Sequence, residues 1–374
     1  MGQLKRLVIG CVIGTRPEVI KMAPVIFKLQ QCSWAEVVII NTAQHRHLLD
    51  EMLGLFNLTP KVDLNSMIAE QSLGALTGNL CIKMDGLLTE HHFDALLAVG
   101  DTTTVLAASL IAFYHKIPFG HIEAGLRTYN MHEPFPEEVN RVLTAPLAKW
   151  HFAPTQTEKD NLLRENISDS HIIITGNPVI DALYWVLEHT PDPHFFQKLA
   201  NVVVVTAHRR ENLGQNMINI CHAILELSER FEHLDFVFPV HPNPKVQKVI
   251  FSLLDKHPRI HLLQALRYDE FSHLMNHALL IVTDSGGIQE EAPALNKPIV
   301  VLRNTTERPE IISAGVGLLV GTEKENIVKA ISQLVIDKKL YKKMTQGISP
   351  YGDGHAAERI VDCLQHDLLD VRGD

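Results

Sequence analysis

The sequence predicts two successive doubly wound α/β domains, each a parallel sheet with helices on both faces. Three observations carry this. Short β-branched runs alternate with longer helical patterns along the chain. Those runs are apolar throughout instead of alternating, as strands buried on both faces are. The alternation restarts after Pro191 and Pro193, and 374 residues is a length for two domains rather than one.

The first set of strands reads as "RLVIGCVIG", "EVVIINTA", "DALLAVGD", "PFGHIEA", "WHFAPT" and "HIIITG". Pro17 opens a helix running to about Gln31, where a first-turn proline loses no needed donor. Pro191 and Pro193 break the helix in "NPVIDALYWVLEHTPDPHFF" and mark a linker. "NVVVVTAHR", "LDFVFPVH", "IHLLQAL", "LLIVTDSGG", "KPIVVLR" and "GVGLLVG" form the second set, with helices between, such as Gln215 to Arg230. About His355 to Val371 reads as a last helix. There is no fixed-period repeat and no low-complexity tract. Folds of this kind bind ligands beyond the carboxyl ends of their strands, so two facing domains would place a site in the cleft between them.

Composition excludes several classes. The formal charge of −9 argues against a nucleic-acid partner, which needs a basic footprint. Cys11, Cys32, Cys81, Cys221 and Cys363 are scattered, odd in number and without a CxxC pair. They form neither a disulfide framework nor a zinc ribbon and fit a reducing compartment. The apolar run near the N-terminus is too short to span a membrane and lacks a leader cleavage pattern. A soluble cytoplasmic protein is expected. The 21 histidines are the oddity, and only their positions can decide their meaning.

Distinctive polar residues fall where strands end. Arg16 follows the first strand, Asp101 ends "LLAVGD", Glu123 ends "FGHIEA", and His208 ends "VVVVTAH". Ser285, Gly286 and Gly287 end "LLIVTDSGG" and open a helix. Glycines there allow close backbone approach, and a helix N-terminus offers unpaired N–H groups, a cradle for a diphosphate. The same residues also read as a plain strand-to-helix turn. Glu290 and Glu291 follow on that helix, where an acidic side chain can accept from ribose hydroxyls. Arg16 and Lys21 flank the first helix entry, and Arg16 suits an anion clamp.

"GHIEAGLRTYNMHEPFPEEVNR" is the densest polar loop, carrying His121, Glu123, Arg127, His132, Glu133, Glu137 and Glu138. Carboxylates beside a cleft act as acid and base when their environments separate their pKa values. HxE would hold a metal only with a third ligand from elsewhere, His45 with His47 and His91 with His92 are poor metal pairs, and no HExxH exists. "TAHRREN" supplies His208, Arg209 and Arg210, a composition that suits an anionic ligand. No Walker loop, GxGxxG fingerprint or GxSxG elbow occurs.

Taken in order, "GTRPEVIKMAPV", "TAQHR", "VGDTTT", "HIEAGLRT", "PFPEEVNR", "TGNPVIDAL", "TAHRREN" and "TDSGGIQEEAPAL" closely resemble the non-hydrolysing bacterial UDP-N-acetylglucosamine 2-epimerases. The match runs from near residue 8 to about residue 320. It implies the B-type glycosyltransferase (GT-B) fold, two Rossmann-like domains facing a central cleft. Residues 1–178 would form the N-terminal domain, with a helix at about 355–374 packing back on it. Residues 179–354 would form the UDP-binding domain. It also implies a homodimer, a UDP-sugar substrate and no nicotinamide cofactor, while the spacings above argue against a metal.

Carried over position by position, the resemblance implies catalytic roles for Asp101, Glu123, Glu137, His208 and Arg16. The three carboxylates would be the acid–base groups, and His208 and Arg16 would stabilise departing UDP. Lys21, Ser285, Gly286, Gly287, Glu291 and Arg308 match UDP-binding positions, and Tyr268 and Phe271 match the region near uracil. Leu266 stands where some members carry a polar residue. Several members bind a second UDP-N-acetylglucosamine as activator; Gln44, His45, Arg209 and His241 match parts of that pocket, while His47 and the sequence around Gln71 depart from it. Alternative readings are a B-type UDP-sugar glycosyltransferase, an epimerase of a modified UDP-sugar, a silent UDP-sugar sensor, and a hydrolysing epimerase. "GTRPE" instead of a GSRxE-type opening favours the non-hydrolysing branch.

Overall fold

Long apolar runs between helices become two fully parallel sheets. A computed structural model describes residues 6–43, 46–67, 71–194 and 196–370. The chain divides into two units, Met1–Ala182 with Gly352–Asp374, and Leu183–Tyr351.

In the first unit the strands are β1 (Leu7–Ile13), β2 (Ala35–Asn41), β3 (Val62–Asp63), β4 (Ala95–Val99), β5 (Phe119–Ile122), β6 (Trp150–Ala153) and β7 (Ile172–Ile174). Their order is β3-β2-β1-β4-β5-β6-β7, every pair parallel. β4, β5 and β6 are buried at every position, which is why they read as unbroken apolar runs. β3 was not expected from sequence; two residues joined to Ile40 and Asn41 leave no pattern to read.

The helix Arg16–Gln30 starts at Thr15, extended at φ −134°, with a proline in its first turn. The helix Ala356–Asp370 packs against it. Ala356, Ala357, Ile360, Val361 and Leu364 form its buried stripe, spaced one helical turn apart. Each of the larger three contributes about 1.5–3 kcal/mol by burial. Lys28 pairs with Glu358 at 2.8 Å, and the buried Trp150 indole donates to Asp367 at 2.7 Å.

The second unit holds β8 (Val202–Thr206), β9 (Asp235–Pro239), β10 (Ile260–Leu263), β11 (Ala278–Thr283), β12 (Ile299–Val301) and β13 (Gly317–Leu319). The order β10-β9-β8-β11-β12-β13 is again wholly parallel. The helix Gln215–Arg230 buries Met217, Ile220, Cys221, Ile224 and Leu227, an i, i+3, i+4, i+7 stripe against the sheet.

Both sheets are doubly wound, as the sequence predicts. The chain leaves β1 towards β2 and leaves β4 towards β5, so the carboxyl ends of β1 and β4 bound a crevice. β8 and β11 do the same in the second unit. Such switch points are where ligands bind in open parallel sheets. Among the described residues no helix is long and apolar enough to cross a membrane.

Candidate active site

At the first switch point the close approach of two strand ends dictates the residues. A Cβ on Gly14 would lie 2.1 Å from Thr42 Oγ1 and 2.9 Å from Thr104 Oγ1, so only glycine fits. Arg16 follows, exposed at the first turn of its helix. Glu18 is 3 % exposed and spans the crevice. Its Oε2 accepts from the Gly14 and Thr15 amides at 2.6 and 2.9 Å, and its Oε1 accepts from Thr102 at 2.6 Å. Burial pushes this carboxyl up to about 7, with those hydrogen bonds opposing and the Asp101 charge adding.

A raised carboxyl pKa means the folded state holds the proton more tightly than the unfolded chain does. Glu18 therefore stabilises the fold fully below the ordinary value of 4.5, and that contribution is lost as pH rises through about 7. Glu18→Gln keeps an acceptor for the amides and carries no charge. We predict that its stability relative to wild type rises between pH 5 and pH 8, by up to about 3 kcal/mol. Urea unfolding at the two pH values measures this; a difference independent of pH would contradict it.

Asp101 lies just past β4. Its Oδ2 accepts from Arg141 Nη1 at 2.8 Å, and its carbonyl accepts from Asn140 Nδ2 at 2.8 Å. Burial raises its pKa; Arg141 and Lys21 pull it down, while Glu123 and Glu137 push it further up. Glu123 follows β5 with φ +63°, a left-handed backbone uncommon for a side chain of this size and typical of functional sites. Its Oε1 accepts from Lys21 Nζ at 2.5 Å and from Asn177 Nδ2 at 2.9 Å. Glu137, half-buried, opens the helix Glu137–Thr144. The fold thus gathers Lys21, Asp101, Glu123 and Glu137 from four different segments.

Other polar residues of the same loop serve the scaffold. His121 Nε2 meets the Gly100 carbonyl at 2.7 Å, and burial lowers its pKa to about 4, so it is neutral. Arg127 forms a fork with both oxygens of Glu165 at 2.7 Å. Glu138 is buried and accepts from Arg141, at 2.7 Å from Nη2, and from the Thr128 and Tyr129 amides. Burial alone would raise its pKa, but those donors prevail and hold it below the ordinary value. No cluster of metal-ligand type occurs among the described residues.

At the second switch point, His208 and Arg209 follow β8, and Asp284 and Ser285 follow β11. Ser285 precedes the helix Gly286–Ala294, whose first turn has its amides directed out of the helix. A Cβ at Gly287 would meet nothing within 4 Å, so space lies open before that turn. Arg209 Nη2 lies near Gly286. Arg308 is held through Nε by Glu290, and Tyr268 donates to Glu291 at 2.7 Å. Phe271 is half-buried one turn into the helix Tyr268–His277. The rings of His208 and His241 stack with centroids 5.4 Å apart. Gln44 and His45 lie outside the described residues.

A family model of UDP-N-acetylglucosamine 2-epimerase matches residues 28–365. The chain belongs to that family. It is 48% identical over 363 residues to the UDP-N-acetylglucosamine 2-epimerase of Neisseria meningitidis serogroup A, covering 94% of this chain and 98% of that one. The Escherichia coli K12 UDP-N-acetylglucosamine 2-epimerase is 45% identical over 371 residues, covering 96% and 99%. The crystal structure of the Neisseria meningitidis UDP-GlcNAc 2-epimerase bound to UDP-GlcNAc superposes with a TM-score of 0.86 at 46% identity, covering 96% of this chain and all of that one. The two doubly wound sheets are therefore the fold of this epimerase family.

Sequence reasoning assigned no role to Glu18, Arg141, Asn177 or Asp284. All four sit inside family motifs, in "GTRPE", "EEVNR", "TGNP" and "TDSGG". Their partners lie far along the chain, so only the folded structure shows what they hold.

Proposed function

We propose that this protein interconverts UDP-N-acetylglucosamine and UDP-N-acetylmannosamine in the cytoplasm. The observation that carries the reading is the Asp101, Glu123 and Lys21 constellation at the first switch point. The Asp101 carboxyl is raised by burial, and the Glu123 carboxylate accepts from the Lys21 ammonium group at 2.5 Å. Two carboxyl groups in such different surroundings suit acid and base work on one carbon.

The reaction is an elimination followed by an addition. A base takes the proton from sugar carbon 2 as the bond from carbon 1 to the UDP oxygen breaks. A carbon 1–carbon 2 double bond forms, giving 2-acetamidoglucal and UDP, both retained. A proton returns to the opposite face of carbon 2, and UDP re-adds at carbon 1. The carbon 2 proton is weakly acidic, so loss of a good leaving group helps drive its removal. Asp101, Glu123 and Glu137 supply the proton-transfer groups. Arg16 and His208 stabilise the departing diphosphate. Lys21, which holds Glu123, also matches the UDP-binding set. Ser285, Gly286, Gly287 and Arg308 bind the phosphates, Glu291 the ribose, and Tyr268 and Phe271 flank uracil.

Arg209 and His241 beside His208, with Gln44 and His45, are read as an activator site for a second UDP-N-acetylglucosamine. The five unpaired thiols fit a reducing compartment. Exposed Ile82, Phe113 and Tyr114 on the helices Leu73–Glu90 and Thr103–Tyr114 fit a homodimer. A monomer mass in sedimentation would refute the dimer.

NMR of the purified protein with each UDP-sugar alone tests the reading. UDP-N-acetylglucosamine should yield UDP-N-acetylmannosamine with no free N-acetylmannosamine; release of the free sugar would assign the hydrolysing branch instead. UDP-N-acetylmannosamine alone should turn over slowly until a trace of the other sugar is added. Full-rate conversion without it would remove the activator site from the account.

A further inference from the structure

We infer that Asp284 is the positioning residue of His208, one oxygen fixing the loop backbone and the other fixing the imidazole with Nδ1 protonated and Nε2 presented for reaction. The Asp284 side chain is 0% exposed. Its Oδ2 accepts from the His208 amide at 2.8 Å, the Arg209 amide at 2.9 Å and Asn212 Nδ2 at 2.9 Å. Those three donors tie the end of β11 to the turn after β8. Asn212 is itself buried and also donates to the Leu302 carbonyl at 3.2 Å, so the turn is anchored to the end of β12 as well.

Oδ1 is different. It is buried and has no hydrogen-bond partner, and it stands 3.4 Å from His208 Nδ1. A carboxylate oxygen left unpaired in a protein interior is costly, and the adjacent imidazole N–H is the group that can relieve it. Hydrogen bonds of this sort are commonly long in the unliganded enzyme and shorten when the site fills. One face of the ring stacks on His241, the two ring planes nearly parallel at 10°. His208 is thus held by a carboxylate at Nδ1 and by a stacked ring, leaving Nε2 as its reactive atom.

Among the described residues, the charged and titratable groups that act on His208 are Asp284, His241 and Arg209. Burial lowers its pKa, His241 and Arg209 lower it further, and Asp284 opposes them. Asp284 therefore supports the imidazolium that a departing diphosphate favours, as an orienting carboxylate does beside a catalytic histidine.

Only the kinetic arm of the test rests on the epimerase reading. Asp284→Asn keeps one oxygen for the three donors and turns an NH₂ towards Nδ1, which forces the proton to Nε2. We expect kcat to fall by about 10²–10⁴, and the acid limb of the kcat profile to move with the lowered His208 pKa. We also expect the ¹⁵N shifts of His208, assigned with His208→Asn, to change from the Nδ1–H to the Nε2–H tautomer. A wild-type protein whose neutral His208 is the Nε2–H tautomer overturns the inference, and that measurement needs no variant to fold. So does an Asp284→Asn enzyme with unchanged kcat and pH profile. If His208→Asn is fully active, the functional reading of His208 fails, while the tautomer still decides what Asp284 does.

Discussion

Glu123→Gln is expected to lower kcat by about 10²–10⁴, the range for losing a positioned proton-transfer group. The effect should be chemical, because glutamine has nearly the same shape and its carbonyl can still accept from Lys21 and Asn177, the two donors now on Oε1. The left-handed backbone at residue 123 is unaltered by the change. Circular dichroism should therefore stay near wild type while turnover, followed by NMR of the two UDP-sugars, collapses. A variant with full activity would remove Glu123 from proton transfer.

Arg141→Met should have the largest effect on stability. Arg141 is 4% exposed and serves two carboxylates, Glu138 at 1% and Asp101 at 32%. Methionine fills much of the volume but leaves the buried Glu138 charge without its partner. Breaking a buried pair from one side costs about 3–5 kcal/mol, a fall in Tm of roughly 10 °C for a unit of this size. In wild type the depressed pKa of Glu138 provides stability above its ordinary value of 4.5, lost as pH falls through the folded value. The variant lacks that contribution, so the gap in Tm should be widest near neutrality and close in acid. Equal Tm values at pH 7 would contradict the role given to Arg141.

Much of the fold was legible because parallel strands buried on both faces leave unbroken β-branched runs. The exception, Val62–Asp63, is a strand made by its neighbour's edge and not by its own pattern. The candidate site was legible for a related reason: in doubly wound sheets, function gathers at strand ends, and Asp101, Glu123, His208 and Ser285 each follow one. What supports those residues was not legible. Asn177 reaches Glu123 across 54 residues, and Asp284 reaches the His208 loop across 76. Histidines could not be sorted by sequence either. His121 and His208 both fall in strand-end motifs, yet His121 is sealed in the core and neutral while His208 is 38% exposed.

The fate of the carbon 2 proton tests elimination and re-addition most directly. UDP-N-acetylglucosamine is incubated with the protein in heavy water and recovered for NMR and mass analysis. Elimination and re-addition predict both UDP-sugars with one deuterium at carbon 2. Epimerised product that keeps its original hydrogen at carbon 2, or no exchange and no epimer at all, would contradict the mechanism.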